Sequence, residues 1–362
     1  MVSFPLTATA PSKSSEDELR GDAPRVAVIV LNWRGSDDTI ACVESVLHLE
    51  NRNTGIFVCD NDSGDQSLSN IRRWASTDLS NLNDARRIAC LPAFGFRDAT
   101  AADYKASANS IYSVTLIDTG ANLGYAGGNN VGLRAALDDG YDYCWILNND
   151  VTVQPDALSW LLERVATDPA IGLCGSTLVY AHDPQVVQTL GGASFSRFKG
   201  KAAAIGQGLR LTQPIDAESV EQRLSFVNGA ATLVSRALLE QIGPMQEDYF
   251  LYWEEADWAM RARRRFRLGY AARSVVHHKV GASIGTNDFG KSSPLSDYYN
   301  NRNRVRFCFR FAKLALPFVV ADMTRSILRY CRTGSWSRAL LLLRATLGLP
   351  YRPIAAVEEP VG

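Results

Sequence analysis

The segment "RVAVIVLNW" (25–33) is an unbroken apolar run that ends in polar Asn32. A run without polar alternation reads as a strand buried on both faces. Directly after it, "SDDTIACVESVLHL" offers Ser36 or Asp37 as a helix N-cap, with Ile40, Val43 and Leu47 at helical spacing. "GIFVCDND" (55–62) is then a second buried strand. This strand–helix–strand order requires a parallel pair joined by a right-handed crossover. The expected fold is therefore α/β, with a mostly parallel central sheet flanked by helices. In such sheets ligands gather at the carboxyl ends of the strands, so the residues closing each strand are the ones to inspect.

Further strands are expected in 112–120, 141–150 and 171–180, with helices in "NNVGLRAALDDG", "PDALSWLLERVATD" and 249–266, and apolar order returns in 226–236. Residues 77–110 read as an inserted loop with short helices, and 181–224, rich in Gly, Gln and Ser, as a mobile excursion. Net charge is zero over 362 residues, so nothing global points to nucleic acid. Seven cysteines, an odd number without a C-x-x-C pair, suggest a reducing compartment and no zinc site. Residues 1–24 lack the pattern of a secretory signal and read as a disordered leader. No apolar run reaches the ~18 residues of a membrane span.

Four strand ends carry polar clusters. In "DNDSGD" (60–65), Asp60 could accept from a uracil or thymine N3–H, with Asn61 or Ser63 reaching a ribose; an Asx-turn is the alternative. "NLGYAGGNN" (122–130) could lay Gly124, Gly127 and Gly128 against a phosphate at a helix start, or form a plain tight turn. In "LNNDV", Asp150 can serve as an oxygen ligand for Mg²⁺ or Mn²⁺, while Asn148 offers only an amide; an acidic turn is the alternative. "WEEADW" (253–258) places three acids between two tryptophans. Such a setting raises a carboxyl pKa towards the range of a general base, or else the acids serve the dipole of a solvated first turn. Of His277 and His278, alternation lets only one face such a site.

Taken in order, "VIVLNW", "DNDSGD", "NLGYAGGNN", "LNNDVTVQPD", "NGAATLVSR", "YWEEADWAMRAR", "VVHHKVGAS" and "YYNNRNRVRF" resemble the inverting glycosyltransferases of family 2, with the GT-A fold. Within the family the chain is most similar to bacterial rhamnosyltransferase-type enzymes of surface polysaccharide assembly. The resemblance implies a donor set of Asn32, Asp60, Asn61, Ser63, Asn122, Gly124, Gly127, Gly128, Asn129, Asn148 and Asn149. It implies metal ligation by Asp150, the last position of an Asp-x-Asp motif whose first Asp is Asn148 here, and by His278. Glu255 would be the catalytic base, with Asp257 as the second candidate. Trp253, Glu254 and Trp258 would meet the acceptor. A nucleotide-diphosphate sugar, first of all dTDP-rhamnose, would be the donor, a glycan or polyprenyl-linked molecule the acceptor, and Mg²⁺ or Mn²⁺ the cofactor.

The expected organisation is a glycosyltransferase domain over 25–300, with a nucleotide-binding half (25–150) and an acceptor and catalytic half (151–300). A basic amphipathic helical extension (301–350) and a tail (351–362) follow. Between Tyr298 and Pro350 ten Lys or Arg face the single acid Asp322. Basic amphipathic helices lie on anionic membranes, which suggests peripheral docking at the inner face of the cytoplasmic membrane; two ordinary packing helices are the alternative. Rival functions are a nucleotidyltransferase and a non-catalytic sugar-nucleotide scaffold. The first would carry a Gly-rich basic loop after its first strand, where this chain has "LNWRGSDD". The missing first Asp favours the second, and the acids at 254, 255 and 257 oppose it.

Overall fold

The computed structural model describes residues 23–51, 53–88, 93–107, 112–279 and 293–352. All but the end of the expected leader, and most of the tail, lie outside this range, as does "VGAS" of the "VVHHKVGAS" segment. The strands are β1 (Val26–Asn32), β2 (Thr54–Asp60), β3 (Gly95–Thr100), β4 (Ser113–Asp118), β5 (Tyr143–Asn148), β6 (Val151–Val153) and β7 (Ile171–Tyr180). They continue with β8 (Asp183–Leu190), β9 (Gly192–Ser196), β10 (Lys201–Ala204), β11 (Phe226–Val227), β12 (Ala231–Ser235) and β13 (Arg267–His278). The helices are α1 (Ser36–Leu47), α2 (Ser67–Ile88), α3 (Gly124–Asp138), α4 (Ala157–Thr167) and α5 (Ala217–Arg223). After them come α6 (Arg236–Ile242), α7 (Glu254–Ala262), α8 (Pro294–Phe311), α9 (Leu316–Arg332) and α10 (Trp336–Thr346).

The main sheet has the order β3-β4-β2-β1-β5-β12-β7-β13-β6, with β8 paired to β7. β3, β4, β2, β1 and β5 are mutually parallel, and β7 and β13 point the same way; β12, β6 and β8 run against them. The apolar runs explain this burial. On β1, Val26, Val28 and Val30 enter one core and Ala27 and Ile29 the other, so neither face can be polar. α1, α2 and α4 cover the first face, while α3, α6 and α7 cover the second. A third apolar cluster joins Tyr249 and Ala256 to residues of α8, α9 and α10.

Several expectations give way here. The 77–110 stretch is no insertion with short helices. Its start belongs to the 22-residue α2, anchored by buried Ile71, Trp74 and Leu79, and β3 then pairs with β4. The excursion at 181–224 is built of β8, β9, β10 and α5, with β10-β9-β11 forming a second small sheet. α7 begins at Glu254 rather than 249, because Phe250, Tyr252 and Trp253 all have positive φ, which no helix accommodates. The boundary expected at 300/301 falls inside α8. Pro317 sits in the first turn of α9, where its missing N–H costs no helical bond.

Candidate active site

A cleft of about 490 Å³ opens where β1, β2 and β5 end, between Leu31, Asn61, Asn122, Gly124, Asn148, Asn149, Asp150 and His278 on one side and Phe250, Tyr299 and Tyr351 on the other. Parallel strands deliver several chain ends to one edge, so residues far apart in sequence converge there. Asn148, Asn149 and Asp150 form the turn between β5 and β6, and His278 closes β13 beside it, with His278 paired to Val151 across the β13–β6 register.

Asp150 and His278 are both buried, and Asp150 Oδ1 lies 3.2 Å from His278 Nε2. Gln188 Oε1, from β8, is 2.8 Å from His278 Nδ1 and fixes the ring. Neighbouring ligands of an octahedral Mg²⁺ or Mn²⁺ stand about 3.0 Å apart, so this pair fits two adjacent positions. Gln188 accepting from Nδ1–H would leave Nε2 as the ligating atom. Among the described residues no group of three or more His, Cys, Asp or Glu side chains gathers to hold a metal. Substrate oxygens and water would have to supply the other positions. His277 faces away from the pair, as alternation requires, and burial lowers its pKa.

The residues expected to bind the donor divide into two groups. Asn61 lines the cleft and organises its floor. It accepts from the Leu123 N–H (3.0 Å) and donates to Asn122 Oδ1 (3.1 Å) and the Gly124 carbonyl (3.1 Å). Asn148 also lines the cleft, and its buried Oδ1 has no hydrogen-bond partner among the described residues. Asn149 is tied back to Thr39 Oγ1 (3.2 Å) and the Gly35 carbonyl (3.3 Å).

Asp60, Asn32 and Ser63 instead form a closed buried network. Asp60 Oδ2 accepts from Asn32 Nδ2 (2.5 Å) and Ser63 Oγ (2.7 Å), Oδ1 from the Ser63 N–H (3.1 Å), and Asn32 Oδ1 from Thr39 Oγ1 (2.7 Å). That is the Asx-turn alternative, and Asp60 is fully buried. None of these three side chains lines the cleft.

Gly127, Gly128 and Asn129 lie inside α3, which begins at Gly124 and not after the glycines. A Cβ on Gly128 would collide with Leu31 Cδ1, and one on Gly127 would stand 2.6 Å from Leu123 Cβ. Gly128 permits close contact of α3 with β1, and Gly127 makes room for Leu123 at the start of the same helix. Asn129 is buried and donates to the Tyr125 carbonyl (2.9 Å) within its own helix. Gly124 does reach the cleft; its φ of +71°, and the Phe250 carbonyl standing where a Cβ would have to go, exclude any side chain.

At the start of α7 two carboxyl groups are pushed upward. Burial raises Glu254 well above the ordinary carboxyl value, and the charge of Glu255 adds to it. Burial raises Glu255 as well, opposed by backbone N–H groups that include that of Gly229. The two carboxyls are neighbours, so ionisation of one opposes ionisation of the other. Glu255 faces a small hollow shared with Tyr125, Gly229 and Trp258. Tyr125 lines both this hollow and the cleft, its hydroxyl donating to the Gly229 carbonyl (2.7 Å). Burial, followed by the charges of Glu255, Glu254 and Asp150, raises its own pKa.

Four other expected site residues do not reach the cleft. Asp257 is fully buried on the opposite side of α7, where Oδ1 meets Arg261 Nε (2.7 Å) and Oδ2 meets Arg310 Nη1 (2.7 Å) and the Tyr249 hydroxyl (3.0 Å). It is an anchor between α7 and α8, not a second base. Trp258 is buried with its Nε1–H on the Gly243 carbonyl (2.9 Å). Trp253 donates to Asn300 Oδ1 (2.8 Å) and packs on Phe195 and Phe307. Glu254 is 2% exposed, too enclosed to touch an acceptor. Sequence reasoning missed the aromatic wall, in which Phe250 stacks on Tyr299 at 4.8 Å and Tyr299 on Tyr351 at 6.2 Å. The aromatic density of "YFLYW" and "YYNN" was its one signal.

The family pattern described as "Glycosyl transferase family 2" matches residues 95–243. Among curated proteins, the low-salt glycan biosynthesis hexosyltransferase Agl10 of Haloferax volcanii is 23% identical over 253 residues, covering 66% of this chain and 62% of that protein. An N-acetylglucosaminyl-diphospho-decaprenol L-rhamnosyltransferase of Mycobacterium tuberculosis is 27% identical over 190 residues, covering 46% of this chain and 60% of the relative. The alignments thus span about three fifths of the length of these curated relatives. Among solved structures, the mannosyltransferase PcManGT from Pyrobaculum calidifontis, in complex with GDP-Man and Mn²⁺, superposes with a TM-score of 0.52 at 15% identity, covering 90% of this chain and 86% of that one. Residues 95–243 thus carry the sequence pattern of glycosyltransferase family 2, and the chain has the GT-A fold.

Proposed function

We propose that this chain is an inverting, metal-dependent glycosyltransferase of glycan or polysaccharide biosynthesis. It moves a sugar from a nucleoside-diphosphate donor to a hydroxyl of a glycan or polyprenyl-linked acceptor. The observation that carries this reading is the meeting of two features at one sheet edge. The Asp150–His278 pair lies in a cleft with a stacked aromatic wall, and Glu255, with its raised pKa, sits behind Tyr125. Relatives named for a rhamnosyltransferase and a hexosyltransferase support the sugar-transfer class. Rhamnose from dTDP-rhamnose is the first donor to test.

Asp150 and His278 would hold Mg²⁺ or Mn²⁺, which when bound supplies positive charge to the diphosphate. Asn61 and Asn148 orient the nucleotide, and Phe250 and Tyr299 exclude water from the sugar. Glu255 takes the proton of the acceptor hydroxyl as that oxygen bonds to the anomeric carbon. The bond to the diphosphate breaks with its electron pair leaving on oxygen, and one displacement inverts the configuration. Glu255→Gln should abolish transfer while donor binding stays within a few-fold; near-normal turnover in that variant refutes the assignment.

We place the acceptor at a membrane. No described helix is long and apolar enough to cross a bilayer. α10 nevertheless exposes Trp336, Leu340, Leu343 and Leu347 at helical spacing, and α9 exposes Phe318 and Leu328 among arginines. An apolar face with basic neighbours suits the cytoplasmic leaflet.

A further inference from the structure

At the far end of α7, about 12 Å along the helix from Glu255, a second concavity of about 700 Å³ is lined by Arg197, Arg261, Arg263, Arg264, Arg265 and Arg310, floored by Met260 and Phe311. Among the described residues only two of the six arginines have a carboxylate, and they share one: Asp257 takes both Arg261 and Arg310. Arg263 reaches only the Leu224 carbonyl and Arg265 only Gln241 Oε1 (3.4 Å). Arg197 and Arg264 make no ion pair among the described residues. Burial and the charge of Arg197 together hold Arg263 below its ordinary value.

This excess is not balanced locally. The C-terminal dipole of α7 offsets about half a charge. The hollow on the other side of Arg197 and Arg263 contains Glu218, which accepts from Gln222 (3.3 Å) and pairs with neither arginine among the described residues, and Glu221, already bidentate on Arg164 at 2.8 Å. A concave site that gathers six guanidinium groups around a single carboxylate is suited to oxyanions, which Arg binds with paired donors.

We infer that this groove is a second, phosphate-binding site, distinct from the donor cleft, which takes the phosphate or diphosphate of a lipid headgroup or of a free anion. Phe309 and Leu314 are exposed on the chain either side of Arg310 and Lys313, which suits a phosphate carried on a lipid. The inference rests on the groove's own residues and does not depend on the sugar-transfer reading.

The test measures binding and needs no transfer assay. Inorganic pyrophosphate is titrated calorimetrically in EDTA into the full-length protein, into R197Q/R263Q/R264Q and into the charge-preserving R197K/R263K/R264K. In parallel, flotation compares phosphatidylcholine vesicles with vesicles that also contain phosphatidylglycerol. The glutamine variant should bind about tenfold or more weakly in at least one arm, with the lysine variant retaining most of the binding. A difference in the pyrophosphate arm identifies a discrete diphosphate site; a difference confined to phosphatidylglycerol vesicles identifies bilayer headgroups as the source. If the triple variant does not fold, Arg264→Gln, at an exposed position, carries the same comparison. A folded glutamine variant that matches the wild type in both arms overturns the inference.

Discussion

Asp257 distinguishes an anchor from a catalyst. Its carboxylate is fully buried and receives two charge-assisted bonds of 2.7 Å, from Arg261 and Arg310, and one of 3.0 Å from Tyr249. A hydrogen bond to a charged group contributes about 1.5–3 kcal/mol. The two arginines remain 22% and 37% exposed and recover solvation when released, so the lower end applies. Asp257→Asn should therefore cost about 3 kcal/mol of folding stability. Arg310→Gln, which leaves Asp257 with Arg261 and Tyr249, should cost about 1 kcal/mol. Together the two changes should cost less than their sum, since each removes the same contact. Urea unfolding followed by tryptophan fluorescence measures all three, with donor binding assayed on the same samples. If Asp257→Asn unfolds at the wild-type urea concentration yet loses transfer, Asp257 acts in the chemistry and the anchor reading is wrong.

Glu254→Gln mimics the protonated acid and should keep transfer, and its acidic pH limb should stay that of Glu255, above the ordinary carboxyl value of 4.5. Because the raised Glu254 loses its stabilising contribution as pH rises through its folded-state pKa, this variant should gain stability relative to wild type more at pH 8 than at pH 4, as urea midpoints will show. Gln188→Leu should weaken Mn²⁺ affinity about tenfold or more by releasing the His278 ring, read by metal-dependent donor binding; unchanged affinity removes His278 from the ligand set. Gly128→Ala should destabilise by about 1–3 kcal/mol despite the better helix propensity of Ala, since its Cβ meets Leu31 and Asn61. L340S/L343S should weaken vesicle flotation by about 1 kcal/mol per leucine, and equal flotation would leave α10 without a membrane role.

The buried strands were legible because a sheet covered on both faces cannot avoid continuous apolar runs. Asp150 and His278, singled out by motif order, stand 3.2 Å apart in the structure. Other features were hidden for identifiable reasons. α2 is polar on its outer side, so its few anchors were lost among Ser, Asn and Asp. Gly127 and Gly128 suggested a loop, where they lie in a helix that Gly128 lets press close to β1. Asp257 could have been separated from Glu255 by helical geometry alone. Two residues apart on a helix means about 200° of rotation, so the two acids cannot serve the same cleft. Tyr299 and Tyr351 join the site through tertiary packing of α8 and the following chain, which no local pattern announces.

Asn303, on α8, donates to the carbonyls of Leu251 (2.8 Å), Tyr252 (3.1 Å) and Tyr249 (2.6 Å), the segment that leads into Glu254 and Glu255. That single amide makes the C-terminal helices unsuitable for swapping between homologues as an independent cassette. A chimaera that imported a foreign extension without an Asn at this point and an Arg at 310 would leave buried carbonyls without their donor and Asp257 one partner short, and its lost turnover could be mistaken for a change in acceptor preference.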